Sequence, residues 1–252
     1  MDLKDRFYSL SKKYNFRYTP VLDQYFTIDL GVIQRAVKYA DLTSEDVVLD
    51  IGAGMGFITE EIAKSAGKVI AVEKDKRLET LLRESMEKQE NIEYIFNDFL
   101  NAQLPKFNKV VANIPYSISA PLIFKLLEHD FDLAVLFFQK EFAEKMCGKP
   151  GTENYGRLTV MVQYYCDVEM KEVVPRNAFW PQPKIDAAIV VLKPKKIPQD
   201  RNFNNFVRDI FRYRNKDVRN AVKIAFNKEV EDNRKMHSLS VQDVHDLYEK
   251  LE

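Results

Sequence analysis

Cysteine is scarce in this sequence. Its 252 residues include two, Cys147 and Cys166, and neither forms a Cys-x-x-Cys pair or stands near clustered histidines. A disulfide framework needs more cysteines than two, and a structural zinc site needs such groupings. We therefore expect no disulfide framework and no metal centre.

Long apolar runs and an export signal are also missing. No stretch reaches the roughly 20 residues of a membrane helix. The opening segment MDLKDRFYSLSKKYNF has neither the apolar core nor the small-residue cleavage site of a signal peptide. We therefore expect a cytoplasmic protein without a membrane partner. The length suits one large domain, or one large domain with a small appendage.

The chain has no net charge, because 38 basic residues balance 38 acidic ones. This balance argues mildly against a polyanionic partner, yet the charges are unevenly placed. Residues 41–101 hold 14 acidic and 7 basic side chains, whereas residues 193–223 hold 10 basic and 3 acidic ones. A basic segment could bind nucleic acid. A solvated helix face without a partner is the alternative.

Strand-like apolar runs alternate with amphipathic helical stretches over the first 140 residues. The strand candidates are residues 46–51, 68–73, 92–96, 109–114 and 133–139. Such alternation indicates a parallel sheet covered by helices on both faces. Two later runs, 168–174 and 185–193, predict an antiparallel pair that closes one edge of the sheet.

The C-terminal quarter has a different organisation. Residues 193–200, KPKKIPQD, have no core pattern and are typical of a linker. Residues 204–226 have helical spacing, and residues 240–251 predict a short helix capped by Ser240. The expected domains are residues 1–193, with an N-terminal extension over 1–20, and a helical domain over 194–252.

A glycine-rich turn follows the first strand candidate. In LDIGAGMGFITEEIA the glycines at 52, 54 and 56 allow a tight turn and close approach of a ligand. Glu73 ends the next strand about 20 residues later, which suits hydrogen bonds to ribose hydroxyls. The spacing differs from the G-x-G-x-x-G of dinucleotide sites, and Asp50 suits a ligand with an ammonium group. With Asp98 placed to accept from an adenine amino group, these features predict S-adenosylmethionine binding.

The strand candidate at 109–114 ends in Asn-Ile-Pro-Tyr. Pro115 has a fixed φ and pushes Ile114 towards an extended conformation, so the chain leaves the sheet in a defined shape. This shape would hold the side chains of Asn113 and Tyr116 at the mouth of the sheet. An ordinary strand-to-helix turn is the alternative, because Asn, Pro and Ser are common turn residues.

Together these motifs resemble the small-subunit ribosomal RNA adenine N6-dimethyltransferases and the related erythromycin-resistance rRNA methyltransferases. The resemblance covers about residues 19–225 and rests on DIGAGMG, AVEKD, NDFL, NIPYSISAP, FWPQPKIDAAIV and FRYRNKDVRNAV. It implies an α/β fold, the Rossmann-like class I S-adenosylmethionine-dependent methyltransferase fold, with a small α-helical C-terminal domain. The implied reaction is methyl transfer to N6 of adenosines in small-subunit rRNA, with two adjacent adenosines dimethylated during ribosome assembly.

The resemblance also implies roles for individual residues. Asn113 would hold the target amine, and Tyr116 and Phe179 would flank the flipped base. Glu73 would hold the ribose, Asp98 the adenine, and the glycines the methionine end. The implied cofactor-binding set is Gln24, Tyr25, Thr27, Gly52, Gly54, Glu73, Asp98 and Asn113. The family pattern G-Q-N-F-L corresponds here to D-Q-Y-F-T, in which Gln24 and Phe26 match, Tyr25 replaces Asn and Thr27 replaces Leu. Contacts to the cofactor at 25 and 27 would then come from the backbone.

The basic C-terminal segment resembles the basic helix of the family's second domain. Arg212, Arg214 and Arg219 are the expected RNA contacts, and the expected partner of a monomeric enzyme is the small ribosomal subunit or its rRNA. Helical spacing predicts that Arg208, Arg212 and Arg219 share one face. Pairing of these arginines with acids such as Asp209 is the alternative.

Three other functions stay open. A DNA adenine methyltransferase could use a similar turn. A large-subunit resistance methyltransferase shares nearly all of these motifs. A ribosome-assembly factor would act mainly by binding.

Overall fold

The chain divides into two compact units in the computed structural model, which describes residues 2–19 and 22–252. Met1, Pro20 and Val21, which belong to or border the predicted N-terminal extension, lie outside the described residues. The first unit comprises the chain through residue 140 together with residues 170–192. The second comprises residues 141–169 and 193–252. Unlike the predicted two-segment division, this one places residues 141–169 with the C-terminal helices.

Nine strands lie in the described residues, and seven of them form the main sheet. In chain order the strands are β1 (Phe26–Thr27), β2 (Val47–Ile51), β3 (Lys68–Val72), β4 (Ile92–Ile95), β5 (Lys109–Asn113), β6 (Leu133–Gln139), β7 (Cys166–Val174), β8 (Phe179–Trp180) and β9 (Ala187–Pro194). The main sheet has the order β4-β3-β2-β5-β6-β9-β7. Strands β2 to β6 pair in parallel, and β9 pairs antiparallel to β6. The predicted α/β sheet is therefore confirmed.

Helices connect these strands and make up most of the second unit. They are α1 (Leu3–Lys13), α2 (Leu30–Tyr39), α3 (Phe57–Ala63), α4 (Glu79–Ser85), α5 (Ser119–Leu127), α6 (Lys140–Met146), α7 (Arg157–Tyr165), α8 (Arg201–Ile210), α9 (Val218–Phe226) and α10 (Val241–Leu251). Across the described ranges, none is both long and apolar enough to cross a membrane.

The strand order reverses between β2 and β5, which are neighbours in the sheet although β3 and β4 lie between them in the chain. In β5, the side chains of Val110, Val111 and Ala112 are fully buried, as expected for a parallel strand covered on both faces. Open α/β sheets bind ligands in the crevice beyond the carboxyl ends of the strands at such a reversal. The topology therefore places a binding site where the glycine turn and the Asn-Ile-Pro-Tyr turn begin.

A short antiparallel ribbon of β1 and β8 forms a second sheet in the first unit. Phe26 pairs with Trp180, and Thr27 pairs with Phe179. The Phe26 ring also packs against Phe7 of α1, with the ring centroids 5.2 Å apart. This packing joins the N-terminal helix to the core of the unit.

The helical character predicted for residues 204–226 is confirmed, but it is divided between two separate helices, α8 and α9. The N–H groups of Val218 and Arg219 donate to the carbonyl groups of Arg234 and Asp232, at 2.9 and 3.0 Å. These bonds replace those that would continue α8 into α9. Arg208, Arg212 and Arg219 therefore do not share the face of a single helix.

The capped helix near the C-terminus is confirmed. The Ser240 hydroxyl accepts from the Asp243 N–H at 3.0 Å, and the Asp243 carboxylate accepts from the Ser240 N–H at 2.9 Å. This reciprocal capping box begins α10.

Candidate active site

A cavity lies at the strand reversal, and residues of the first unit line all of it. The lining comes from the segment before and within β1, the glycine turn after β2, and the ends of β3, β4 and β5. It includes every residue of the predicted cofactor set: Gln24, Tyr25, Thr27, Gly52, Gly54, Glu73, Asp98 and Asn113. Residues distant in sequence thus meet at one edge of the sheet.

The glycine turn is held by main-chain and side-chain acceptors. The Gly52 N–H donates to the Val72 carbonyl at 2.8 Å, and the Gly54 N–H donates to Glu73 Oε2 at 2.8 Å. Gly54 has a φ of 57°, and a Cβ there would lie 2.9 Å from the Phe26 ring. Only glycine fits at this position without displacing that ring.

Glu73 anchors the turn while it faces the cavity. Its Oε1 accepts from the Asp75 N–H at 2.7 Å, and its Oε2 accepts from Gly54. Burial raises the pKa of this carboxyl, and the two N–H groups oppose that rise. A carboxylate oxygen has further acceptor capacity, so Glu73 can also receive hydrogen bonds from a ligand.

The side chain of Gln24 connects the cavity rim to Asp75. Gln24 Oε1 accepts from the Thr19 N–H, and its Nε2 donates to Asp75 Oδ2, both at 2.8 Å. Arg77 forms an ion pair with the same carboxylate at 2.6 Å. Sequence reasoning gave Asp75 no role, although it belongs to the AVEKD motif. Asp75 positions both Gln24 and Glu73.

Asp98 lines the cavity with an ionised carboxylate. Its Oδ2 accepts from Lys74 Nζ at 2.7 Å, and its Oδ1 accepts from the Leu100 N–H at 3.0 Å. The Lys74 ammonium lowers the pKa of Asp98 below its ordinary value. The side chain is therefore an acceptor at neutral pH, as contact with an adenine amino group requires.

Asp50, at the end of β2, is buried and is not a lining residue of the cavity. It is 1% exposed, and its Oδ2 accepts from the Thr59 hydroxyl at 2.6 Å. Its Oδ1 is buried and has no hydrogen-bond partner among the described residues. Burial raises the pKa of Asp50 to about 7. The predicted contact with an ammonium group would therefore be indirect.

Asn113 at the end of β5 is oriented by the main chain. Its Nδ2 donates to the Tyr25 carbonyl at 2.7 Å. Its Oδ1 is buried without a partner in the part of the chain that the structure describes. The side chain thus keeps one acceptor for another molecule.

Tyr116 lies under the ring of Tyr25. The two rings stack with their centroids 5.5 Å apart and an interplanar angle of 24°. Tyr116 is 8% exposed, and burial raises the pKa of its hydroxyl above the ordinary value. The turn that carries it is fixed by Asp23, whose Oδ2 accepts from the Ser117 N–H at 2.7 Å. Sequence spacing could not reveal this bond, which joins residues far apart in the chain.

Phe179 is in the core of the first unit and does not line the cavity. Its ring is 1% exposed and meets Phe137 edge-on, with the centroids 6.4 Å apart. The structure brings Phe179 beside Thr27 in the β1–β8 ribbon. It therefore supports the segment that lines the cavity.

The three predicted RNA contacts lie in the second unit and differ in their surroundings. Arg212 approaches Asp209 at 3.7 Å, as the pairing alternative anticipated. Arg214 is half-buried, and its Nη2 donates to the Glu153 carbonyl at 2.9 Å. Arg219 is exposed, with no ion-pair partner in residues 2–19 and 22–252. Arg212 and Arg219 are therefore the two that are exposed.

A cluster of three potential metal ligands lies in the second unit. His245, Asp246 and Glu249 on α10 have ligand atoms within 4.8 Å of one another. Two of the three residues are exposed, and exposed acidic groups commonly cluster without binding a metal. We assign no metal to this group.

Comparison with known protein families identifies the family of this sequence. Residues 14–252 match the family described as ribosomal RNA adenine dimethylase. The chain belongs to this family. The predicted resemblance is thereby confirmed, and with it the assignment as an rRNA adenine dimethyltransferase that uses S-adenosylmethionine.

Curated relatives and solved structures agree with this membership. A protein named probable ribosomal RNA small subunit methyltransferase A, from Thermococcus gammatolerans, is 46% identical over 222 residues, 88% of this chain and 80% of the relative. A protein of the same name from Methanosarcina barkeri is 44% identical over 218 residues, 85% of this chain and 76% of the relative.

Two solved structures share the fold. The dimethyladenosine transferase from Plasmodium falciparum has a TM-score of 0.81 and 31% identity, and the match covers 88% of this chain and 95% of that one. The 23S rRNA methyltransferase ErmE has a TM-score of 0.71 and 29% identity, covering 90% and 99%. The predicted class I methyltransferase fold is confirmed.

The cavity residues fit S-adenosylmethionine. Glu73 and Asp98 supply carboxylate acceptors at the ends of neighbouring strands. Thr27 Oγ1 and Asn113 Oδ1 are buried polar atoms that no described residue satisfies. Because buried polar atoms normally have partners, these orphan atoms mark a wall built to meet another molecule.

Proposed function

We propose that this protein transfers methyl groups from S-adenosylmethionine to N6 of adenosines in small-subunit rRNA during ribosome assembly. Two adjacent adenosines would each be dimethylated. The observation that carries this proposal is the orientation of Asn113, whose Nδ2 is bound by Tyr25 and whose Oδ1 is left as an acceptor. The names of the curated relatives support the small subunit as the source of the RNA.

The predicted set would hold the cofactor from several sides. Glu73 would accept from the ribose hydroxyls and Asp98 from the adenine amino group. Gly52 and Gly54 would border the methionine end, and the backbone at residues 25 and 27 would complete the wall with Gln24 fixed behind it. When bound there, S-adenosylmethionine supplies a methyl group on a positively charged sulfur.

Asn113 would make the adenine amine a better nucleophile. The N6 lone pair is normally delocalised into the ring, which makes the amine weakly nucleophilic. Asn113 Oδ1 and a backbone carbonyl near Ile114 would accept hydrogen bonds from the two N–H groups of the amine. This arrangement would favour a tetrahedral nitrogen with a localised lone pair. After methylation the nitrogen is cationic, so its proton can leave to water. A neutral positioning group therefore suffices.

Tyr116 would stack on the base once it is flipped out of the RNA. Stacking of a base on an aromatic side chain contributes about 1–3 kcal/mol. Phe179 was predicted to flank the base on the other side. Since its ring is in the core, we assign it to support of the β1–β8 ribbon.

The second unit would position the RNA through its phosphates. Arg212 and Arg219 present guanidinium groups at the surface, and Arg214 would contribute from its half-buried position. Contacts of this kind fix the enzyme on a large RNA without reading bases. We place this action in the cytoplasm, by a monomer without a metal ion, on the small ribosomal subunit or its rRNA.

Methylation of large-subunit rRNA is the second candidate, favoured by the likeness to the 23S rRNA methyltransferase. Transfer of radiolabelled methyl groups to immature small subunits, large subunits and duplex DNA separates the candidates. We expect label in small-subunit adenosines alone. Label in large subunits or DNA would contradict the proposal. Tight binding of small subunits without label would indicate an assembly factor.

A further inference from the structure

Both side chains proposed to meet the target base have a buried oxygen atom in this structure. Asn113 Oδ1 and the Tyr116 hydroxyl are both buried, and neither has a hydrogen-bond partner among the described residues. An acceptor without accessible surface cannot meet an amine from outside until a neighbour moves. The site therefore needs an opening step before a base can enter.

Tyr25 contacts the side chains of both residues, although neither contact is made to the two buried oxygens. Its main-chain carbonyl accepts from Asn113 Nδ2 at 2.7 Å, and its ring stacks on Tyr116 with the centroids 5.5 Å apart. A base inserted between two rings needs about 7 Å, twice the contact distance of about 3.5 Å. The rings are too close for this, so a base can stack on the face of Tyr116 that Tyr25 covers only after the Tyr25 ring leaves.

The ring and the backbone of Tyr25 are held differently. The next residue, Phe26, begins the β1–β8 ribbon, which fixes the chain that carries the carbonyl. The Tyr25 side chain is half-buried, lines the cavity, and makes no hydrogen bond through its hydroxyl in the described chain. Rotation about its side-chain bonds can therefore uncover Tyr116 while Asn113 stays oriented.

We infer that Tyr25 is a gate for the target base: its ring occupies the stacking place on Tyr116 in the substrate-free enzyme and swings away when adenine enters. The inference rests on the proposed function in taking Tyr116 as the stacking side chain. Tyr25 is thus a positioning residue with two separable parts. Its carbonyl orients Asn113, and its ring competes with the base.

The first test uses a nucleoside probe, so it does not depend on the identity of the RNA. Fluorescence quenching of 2-aminopurine riboside is measured with saturating S-adenosylhomocysteine. We expect Tyr25→Ala and Tyr25→Asn to bind the probe about two- to tenfold more tightly, the range of one aromatic pair. Tyr25→Phe keeps the ring and should restore the weaker binding. In a Tyr116→Ala background, removal of the Tyr25 ring should give no gain.

The control variant is Tyr39→Ala, which truncates a tyrosine of α2 outside the cavity lining. Calorimetry with S-adenosylhomocysteine establishes that each variant is folded. Equal or weaker probe binding by both Tyr25→Ala and Tyr25→Asn would overturn the gate. A gain that persists without Tyr116, or no quenching in any variant, would also overturn it.

The second test separates the gate from the proposed substrate. Single-turnover methyl transfer is measured against the concentration of immature small subunits. We expect Tyr25→Ala to lower the half-saturating concentration several-fold without raising the rate at saturation. If wild-type protein methylates subunits and the half-saturating concentration does not fall, the gate is wrong. If wild-type protein leaves subunits unlabelled while the probe results hold, the substrate assignment fails and the gate stands.

Discussion

Asn113 Nδ2 donates to the main-chain carbonyl of Tyr25 at 2.7 Å, and this bond determines which end of the amide is available. Because the amide NH₂ is used, the oxygen is left to accept. An aspartate at this position would place a negative oxygen against the carbonyl. The contact therefore explains in physical terms why an amide serves at the end of β5.

Replacement of Asn113 should affect the chemical step most. We expect Asn113→Ala to slow single-turnover methyl transfer about 10²-fold or more, as for other positioned transition-state contacts. Asn113→Asp should fail too, because its carboxylate repels the Tyr25 carbonyl. Calorimetric affinities for the cofactor should change far less than the rate. A near-normal single-turnover rate in Asn113→Ala would remove Asn113 from the mechanism.

Glu73 should prove necessary for both the cofactor and the glycine turn. Loss of charge-assisted hydrogen bonds of about 1.5–3 kcal/mol weakens binding roughly ten- to hundredfold. We expect the Glu73→Ala variant to bind S-adenosylmethionine ten- to hundredfold more weakly than the wild type, as measured by calorimetry. Glu73→Gln should also bind weakly, since one amide oxygen cannot accept from Gly54 and Asp75 as two carboxylate oxygens do.

A matched control for this measurement is Glu93→Gln. It removes an exposed carboxylate of β4 that pairs with Lys68 outside the cavity lining. Its affinity for the cofactor should equal that of the wild type. Unchanged affinity in Glu73→Ala would exclude Glu73 from the binding site.

Asp50 should make the protein less stable as the pH rises. Its pKa is about 7 in the folded state, compared with an ordinary value of 3.8. Between these values the unfolded chain has lost the proton that the folded protein still holds, so the free energy of unfolding falls with rising pH. At about 1.4 kcal/mol per pKa unit, the loss is at most roughly 4–5 kcal/mol.

The test compares urea unfolding of wild type and Asp50→Asn from about pH 4 to pH 8. The variant cannot ionise, so its stability relative to wild type should rise up to about pH 7 and then stay level. Asp46→Asn is the control, because burial tends to raise the pKa of Asp46 but hydrogen bonds from Asn108, Thr43 and Lys109 outweigh it and lower that pKa. The stability deficit of this variant relative to wild type should be constant above about pH 5. A constant difference for Asp50→Asn as well would contradict the assignment.

Arg212 and Arg219 should account for part of the salt dependence of RNA binding. We expect the double alanine variant to bind small subunits more weakly, with a logarithmic salt slope reduced by roughly 0.7–0.9 for each phosphate that is no longer neutralised. Arg83→Ala is the control, since Arg83 pairs with Glu79 on α4 in the first unit. If the double variant keeps the wild-type salt slope, these arginines are exposed to solvent and do not contact phosphates.

Arg214 needs separate treatment. Its guanidinium donates to the Glu153 carbonyl, and its Nε is buried without a partner in the described residues. We expect Arg214→Ala to lower the unfolding temperature, which the Arg212 and Arg219 variants should leave nearly unchanged. If Arg214→Ala loses RNA binding, the unfolding temperature shows whether the variant has lost a phosphate contact or has lost stability.

Short-range patterns predicted much of the architecture. The apolar runs predicted strands β2 to β6. The residues at the ends of those strands were predicted to form a site, because parallel strands bring the turns that follow them to one edge of the sheet. Contacts between distant segments were not predictable this way. The bonds from residues 232–234 that start α9, and the depth of Phe179, depend on tertiary packing. The stack of Tyr25 on Tyr116 likewise joins residues with no periodic relation.

The pairing of β1 with β8 also constrains the order in which a newly made chain can complete its site. Phe26 and Thr27 leave the ribosome early, but their partners Trp180 and Phe179 follow only after residues 141–169 of the other unit. The glycine turn and Asn113 are therefore synthesised well before the ribbon beside Tyr25 can close. During translation, the segments that line the cavity are therefore all made before the last strand needed to close the β1–β8 ribbon.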